Sequence, residues 1–236
     1  MVINLHKQIQ DTWGYEVSYS FRLEGGEEIA SAFNDNKQPI SFWLGKELYA
    51  FPTGLHSMKM VPRMFSGFPY PDYGRWKRLP GFVVLDSAGE QVAYYYGNAL
   101  TVGKVGKSCF KRNIDAPALV YQGELYYCFK VGFRGEREHY YCIYRGNELI
   151  GVIKRHALTT KNKDCIATLY IEKKENLKVN LFVAVTQLVY VETWEGGHDI
   201  SACGYISRYE EEKKLLDRGY IRQVEEIENN NLQSKL

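Results

Sequence analysis

The chain has 236 residues, of which 45% are hydrophobic and 25% charged, the balance of a globular protein with one large domain or two small ones. Its formal net charge of +2 gives no field of the strength that wholesale nucleic-acid binding uses. Five scattered cysteines without a CxxC pair argue against a disulfide framework and a zinc site of the usual spacing, and no stretch reaches the ~18 apolar residues of a membrane span.

The opening stretch MVINLHKQIQDTWG has no continuous apolar region and does not read as a secretory leader. From about Tyr15 to Tyr170 short apolar-aromatic runs alternate with turn residues. YEVSYSFRLEGGEEI alternates and breaks at Gly25-Gly26, and ISFWLGKELYAF divides into two strands around Gly45-Lys46. GFVVLDSAGEQVAYYYG is a hairpin with Asp86 to Gly89 as its turn. ELYYCFKVGF, HYYCIYRGNELIGVIKR and DCIATLYIEKKEN continue the series, with Arg145-Gly146-Asn147 as a further turn. Nineteen tyrosines reinforce the β reading. Regularly spaced strands with local turns predict a meander that forms a sandwich or barrel. The stretch from Met58 to Pro80, with Pro62, Pro69, Pro71 and Pro80, reads as a long irregular connection within one domain.

Residues 181–191 are apolar at nearly every position and carry no Gly, Pro, Asn or Asp. A half-exposed strand would alternate, and a helix apolar on all sides must be buried on all sides. A barrel filled by a central helix at Asn180–Trp194 supplies that burial; one long central strand of a sandwich is the competing reading. Further on, Ser207 and Glu210 fit a capping box, and RYEEEKKLLDRG predicts a short helix stopped by Gly219. NNNLQSKL reads as a frayed tail.

The segment GNELIGVIKRHALTTKNKDCIATLYIEKKENLKVNLFVAVTQLVYVETW resembles the end of a tubby C-terminal-like barrel, the superfamily of LURP-one-related proteins and phospholipid scramblases. The likeness runs over roughly Tyr126 to Trp194. It implies a hairpin over Gly146 to Lys154, a last strand over Asp164 to Glu172 and a linker over Lys173 to Val179. Asn180 to Trp194 would then be a helix threading a closed barrel of twelve strands. It also implies binding of anionic phospholipid head groups by surface Lys and Arg.

Lys104, Lys107, Lys111 and Arg112 form one basic cluster, Lys154 and Arg155 a second, Lys161 and Lys163 a third, and Arg75, Lys77 and Arg78 a fourth. Lys offers phosphate a point charge and Arg a fork. The first two clusters are the anionic-ligand candidates; as ordinary solvated positions they would simply keep the barrel in solution. GNALTVGKVGKSCF ends like a phosphate-binding loop, but Thr101 stands where such a loop needs glycine, and CFKRNIDAP is no helix. The five histidines show no metal-ligand spacing, and Cys128 and Cys142 read as inert core thiols. No catalytic, metal or cofactor constellation is readable.

These readings lead to one expectation: a mainly-β barrel domain over residues 1–200 with a helical tail over 201–236. The protein would be a non-enzymatic cytoplasmic scaffold or binder of an anionic lipid surface, with no nucleic-acid partner. An alternative is a small-ligand protein or enzyme with an aromatic cleft at Phe65, Phe68, Tyr70, Tyr73 and Trp76. A third reading docks the tail from Ser207 onto another subunit.

Overall fold

The computed structural model describes residues 1–10, 16–35, 39–51, 81–105, 112–132, 139–146, 148–156, 164–190 and 218–233. Twelve antiparallel strands follow one another around a closed barrel. They are β1 (Val2–Ile9), β2 (Val17–Leu23), β3 (Glu28–Asn34), β4 (Ile40–Leu44), β5 (Glu47–Phe51) and β6 (Gly81–Asp86). The second half comprises β7 (Gln91–Val105), β8 (Arg112–Tyr121), β9 (Glu124–Gly132), β10 (His139–Arg145), β11 (Glu148–Arg155) and β12 (Cys165–Tyr170). Each strand pairs with its chain neighbours, and β1 closes the ring by pairing with both β2 and β12. The sandwich alternative is thereby set aside.

Alternation along the strands separates two faces. Ile3, Leu5, Val17, Tyr19, Phe21, Ala30, Ala32, Ile40 and Phe42 belong to one continuous buried cluster. Between them Asn4, Ser18, Ser20, Arg22, Ser31 and Ser41 are half-buried or exposed, and Asn4 lies across from Arg22 and Ser20 across from Ser31. Along β1 to β4 an apolar inner row thus lies behind a polar outer one. No described helix is long and apolar enough to cross a membrane.

The turns follow from local chemistry. Gln122 and Gly123 both have positive φ, 52° and 78°, the two-residue turn whose twist matches the flanking strands. Asp86 Oδ1 accepts bonds from the Ala88 and Glu90 amides, each at 2.9 Å, and so builds its own turn.

After β12 the chain makes a 3₁₀ turn (Lys174–Asn176), helix α1 (Leu177–Ala184) and a π-helical segment (Val185–Tyr190). The helix thus begins earlier than the sequence suggests: the polar residues 174–179, expected as a linker, are already helical, and 191–194 lie outside the described residues. Val179 to Gln187 are all buried, and the apolar ones join the same cluster as the inward strand residues. The Phe182 ring meets Tyr49 at 5.0 Å, Tyr121 at 5.6 Å, Phe51 at 5.8 Å and Phe42 at 6.1 Å between centroids. All four pairs are edge-on, the favourable arrangement for aromatic quadrupoles.

The C-terminal helix is α2 (Arg218–Gln233). The expected helix around 207–217 lies outside the described residues. Gly219 is no stop, and Asn229 to Asn231 are helical rather than frayed. Packing overrides propensity here, since Val224 is fully buried against the outer wall of the barrel.

Two predictions follow from this packing. Phe182→Ala is expected to lower stability by ~3–5 kcal/mol, read from urea unfolding, because it empties the centre of an aromatic cluster. Gly151 faces Asn180 so closely that a side-chain carbon there would overlap the amide. Gly151→Ala should therefore destabilise strongly in the native chain and far less in an Asn180→Ala background, a non-additivity measurable in a double-mutant cycle.

Candidate functional site

A meander of this kind sorts its connections between two rims. One rim carries the tight turns between β2 and β3, β4 and β5, β6 and β7, β8 and β9, and β10 and β11, together with the step from β12 into the helix. The other receives the connections 10–16, 35–39, 52–80, 106–111, 133–138 and 156–164. By sequence the second set contains twelve Lys and Arg against seven Asp and Glu, a net of +5. The tight-turn connections, including 171–173, contain two against four, a net of −2.

The tight-turn rim holds the start of the helix by charge. Lys178 Nζ donates to Glu47 Oε2 at 2.7 Å and to the Tyr49 hydroxyl at 2.8 Å, while that hydroxyl donates to the same carboxylate at 2.6 Å. The ammonium is 5.3 Å from the Tyr49 ring centroid, but its bond to the hydroxyl keeps it beyond the ring edge, so this is an ion–hydroxyl contact. Burial works to lower the Lys178 ammonium, and the Glu47 and Tyr49 bonds outweigh it and hold it above the ordinary lysine value. Nearby, Glu148 accepts from Lys173 at 2.7 Å and from Arg145 at 2.8 Å. Those two bonds, Lys173 first, draw its carboxyl from 4.5 to about 2.

Deeper in, Asn180 Nδ2 donates to the carbonyls of Asn176 at 2.9 Å and Ile150 at 3.3 Å, which ties α1 to β11. Its Oδ1 is buried without a hydrogen bond, against Gly151. In the π-helical segment Gln187 Nε2 donates to the Tyr95 hydroxyl, and Thr186 Oγ1 to the Val183 carbonyl at 2.8 Å. Burial first, then Cys128 and Tyr141 nearby, hold the Tyr95 phenol well above its ordinary value.

Of the sequence-derived candidates, Lys104, Arg112, Lys154 and Arg155 lie at strand ends on the second rim. Lys104 lies across from Asn113 and Arg112 across from Val105, so both sit where β7 and β8 end and begin. Lys154 and Arg155 end β11 on the same rim. Lys107 and Lys111 lie outside the described residues, within a connection bounded by Val105 and Arg112. β7 runs on past Tyr96 to Val105, because register shifts between Tyr96 and Leu100 and between Thr101 and Gly103 absorb residues 97–99 and Val102 as irregularities. Strand rather than helix follows from Arg112, against a nucleotide-binding loop. Phe65, Phe68, Tyr70, Tyr73 and Trp76 also lie outside the described residues; Phe51 and Gly81, which bracket them, end and begin strands on this rim.

One pairing of candidates does not hold together. Lys154 and Arg155 are neighbours in a strand and so occupy opposite faces of the wall. Arg155 is 7% exposed, and its guanidinium donates to the Ile166 carbonyl at 3.3 Å. Lys154 stays half-buried on the outer face, in register with Tyr140 and Thr168. Of this pair, Lys154 is the residue placed to meet an external anion.

An outer-face polar chain that the sequence does not announce lies beside it. The Thr168 hydroxyl donates its one proton to Asn4 Oδ1 at 2.9 Å, so it accepts at 2.8 Å from His156, whose Nε2 must carry hydrogen. Cys165 stands across from His6. Its thiol is pushed up by burial, the direction opposite to that of an activated nucleophile. Among the described residues no three His, Cys, Asp or Glu side chains lie close enough to hold a metal ion.

The Glu148 carboxylate has its value depressed on folding, so its stabilising contribution is full above the ordinary 4.5 and is lost as pH falls toward about 2. Wild type should therefore melt above Glu148→Gln at neutral pH, with the difference in Tm shrinking across that window and closing near its lower end.

Comparison of the chain with protein-family models, curated proteins and solved structures finds no match.

Proposed function

We propose that the chain is a non-enzymatic, tubby-like barrel protein whose basic rim binds anionic phospholipid head groups. In this reading the segment from Lys174 to Tyr190 runs along the barrel axis. A barrel of about eight strands can be filled by side chains alone, whereas twelve strands enclose a wider interior that needs something more. The buried stretch Val179 to Gln187, in contact with β4, β5, β7, β8 and β11, is of the right kind to fill it. A filled interior leaves function to the surface, which favours binding at a rim over chemistry in a cavity.

The observation that carries the proposal is the charge difference between rims. Lys104 and Arg112 at the strand ends and Lys154 on the outer wall lie at this end, and by sequence Lys107 and Lys111 fall in the connection between Val105 and Arg112. Basic residues near an anionic leaflet contribute ~1 kcal/mol each, and the attraction decays over a Debye length of ~8 Å at physiological ionic strength.

Vesicle flotation tests this. The protein should float with vesicles of phosphatidylcholine doped with phosphatidylserine or a phosphoinositide and stay behind with phosphatidylcholine alone. High salt should abolish the binding, and the triple variant Lys104→Glu, Lys107→Glu, Lys111→Glu should weaken it by roughly a hundredfold at ~1 kcal/mol per site. Equal partitioning onto neutral and anionic vesicles would overturn the proposal.

A further inference from the structure

A polar row crosses the outer wall where the barrel closes. Thr168 of β12 stands between Asn4 of β1 and Lys154 of β11, and Arg22 of β2 lies across from Asn4. Nearer the second rim, His6 follows on the same face of β1, and His156 follows Lys154 just past the end of β11. The chain neighbours Ile3, Leu5, Phe21, Ile153, Ala167 and Leu169 belong to the interior cluster, so alternation turns the polar set outward.

A chain of hydrogen bonds orients this row. His156 Nε2 donates to Thr168 Oγ1 at 2.8 Å, and the hydroxyl donates its own proton to Asn4 Oδ1 at 2.9 Å. The Asn4 amide is thereby set with its oxygen toward Thr168 and its Nδ2 donors turned away. Neither Asn4 Nδ2 nor the His6 ring hydrogen-bonds to another described residue. Lys154, half-buried, and Arg22, exposed, bring positive charge to the two ends.

With both imidazoles neutral, Lys154 and Arg22 are offset by Glu28, 3.7 Å from Arg22, and by Asp164, whose charge His6 feels. Away from the rim the row is bounded by an outer apolar cluster of Val2, Tyr140, Cys142, Val152 and Tyr170 with Val224 of α2. The charged Arg222, Glu225 and Glu226 of α2 are exposed, and Tyr140 lies across from Lys154. Cys165, across from His6, is pushed up by burial and adds no charge. Burial first, then Arg22, hold His6 below its ordinary value against the pull of Asp164. Protonating His156 leaves Nε2 a donor, so the bonds through Thr168 to Asn4 survive it. Two added charges thus leave the geometry of the row intact.

We propose that this row is a proton-coupled site for a tetrahedral oxyanion, the phosphate of a soluble ester or of a lipid head group. The anion lies over the Thr168–Asn4 pair and takes hydrogen bonds from Asn4 Nδ2 and His6. Lys154 flanks it as a point charge and Arg22 as a fork, with His156 adding charge beside Thr168. An anion stabilises the charged imidazoles, so binding takes up protons and tightens as pH falls through the imidazole range. The site shares Lys154 with the basic rim and depends on no other residue of that reading.

The full chain is titrated with sodium sulfate, whose charge is constant across the window, at about pH 5 and about pH 8, against sodium chloride of equal ionic strength. The ring protons of His6 and His156 are followed by NMR. Sulfate should raise both titration midpoints by about one unit and bind roughly tenfold or more tightly at the lower pH, since one unit corresponds to a tenfold change in affinity. His6→Gln should lose about tenfold of the acid-side affinity. Midpoints that move equally in sulfate and chloride, or equal affinity at the two pH values, would overturn the proposal and leave the rim reading standing. Vesicle flotation separates the two sources. Phosphatidylglycerol keeps its charge over the same window, so flotation that strengthens in acid, and loses that gain in His6→Gln, supports a lipid head group as occupant. Sulfate binding without that gain supports a soluble anion.

Discussion

Closure of the sheet by β1 is the constraint on which the other features depend. A meander ending at β12 would leave two edges with unpaired backbone groups, which invite association with other chains. β1 pairs on both sides and removes both. The Met1 ammonium donates to the Ile171 carbonyl at 2.7 Å and the Ile171 amide returns a bond to the Met1 carbonyl at 2.9 Å, so pairing reaches one residue beyond the end of β12. Once the ring is closed, inside and outside are distinct, and each connection must fall on one of two rims. Those rims carry the charge difference, and the wall carries the two apolar faces.

The two faces are sustained by unequal packing. In the larger buried cluster Phe182 alone meets four aromatic rings, and the helical segment adds a continuous buried row. Polar groups in that row are nearly all answered: Gln187 by Tyr95, Thr186 by the Val183 carbonyl, Asn180 Nδ2 by two carbonyls. Outside, Val224 is the buried residue among the described side chains of α2.

The hairpins were legible in the sequence because their turns depend on a few local residues: Asp86 with its own amides, glycines at Gly45, Gly89 and Gly146 where φ is positive. β1 was not legible. VINLHKQI is half polar, and its fate is set by a partner far along the chain, β12, which local patterning cannot name. The helix announced itself through the apolar run from Leu181, but its first turns, Lys174 to Val179, look like a linker because Lys178 and Glu175 face outward at the rim while Asn180 is buried with its amide bonded to the Asn176 and Ile150 carbonyls. The basic candidates were individually visible. That Lys104, Arg112 and Lys154 end or begin strands at one rim needed the topology, and the division of Lys154 from Arg155 needed the parity of β11. At the C-terminus the capping signal at Ser207 drew the expected helix upstream, whereas Val224 marks where the chain docks.

The contact between Asn180 and Gly151 has a bearing on how far along the wall the helix rests. Leucine, valine and phenylalanine against a smooth hydrocarbon surface would tolerate sliding by a turn with little change in enclosed area. An amide that fits only opposite a missing side chain, and that finds the Ile150 carbonyl only there, works as a notch. It costs some stability, since one oxygen goes without a donor, and in exchange it fixes a single axial setting, much as one buried asparagine fixes alignment in a coiled coil.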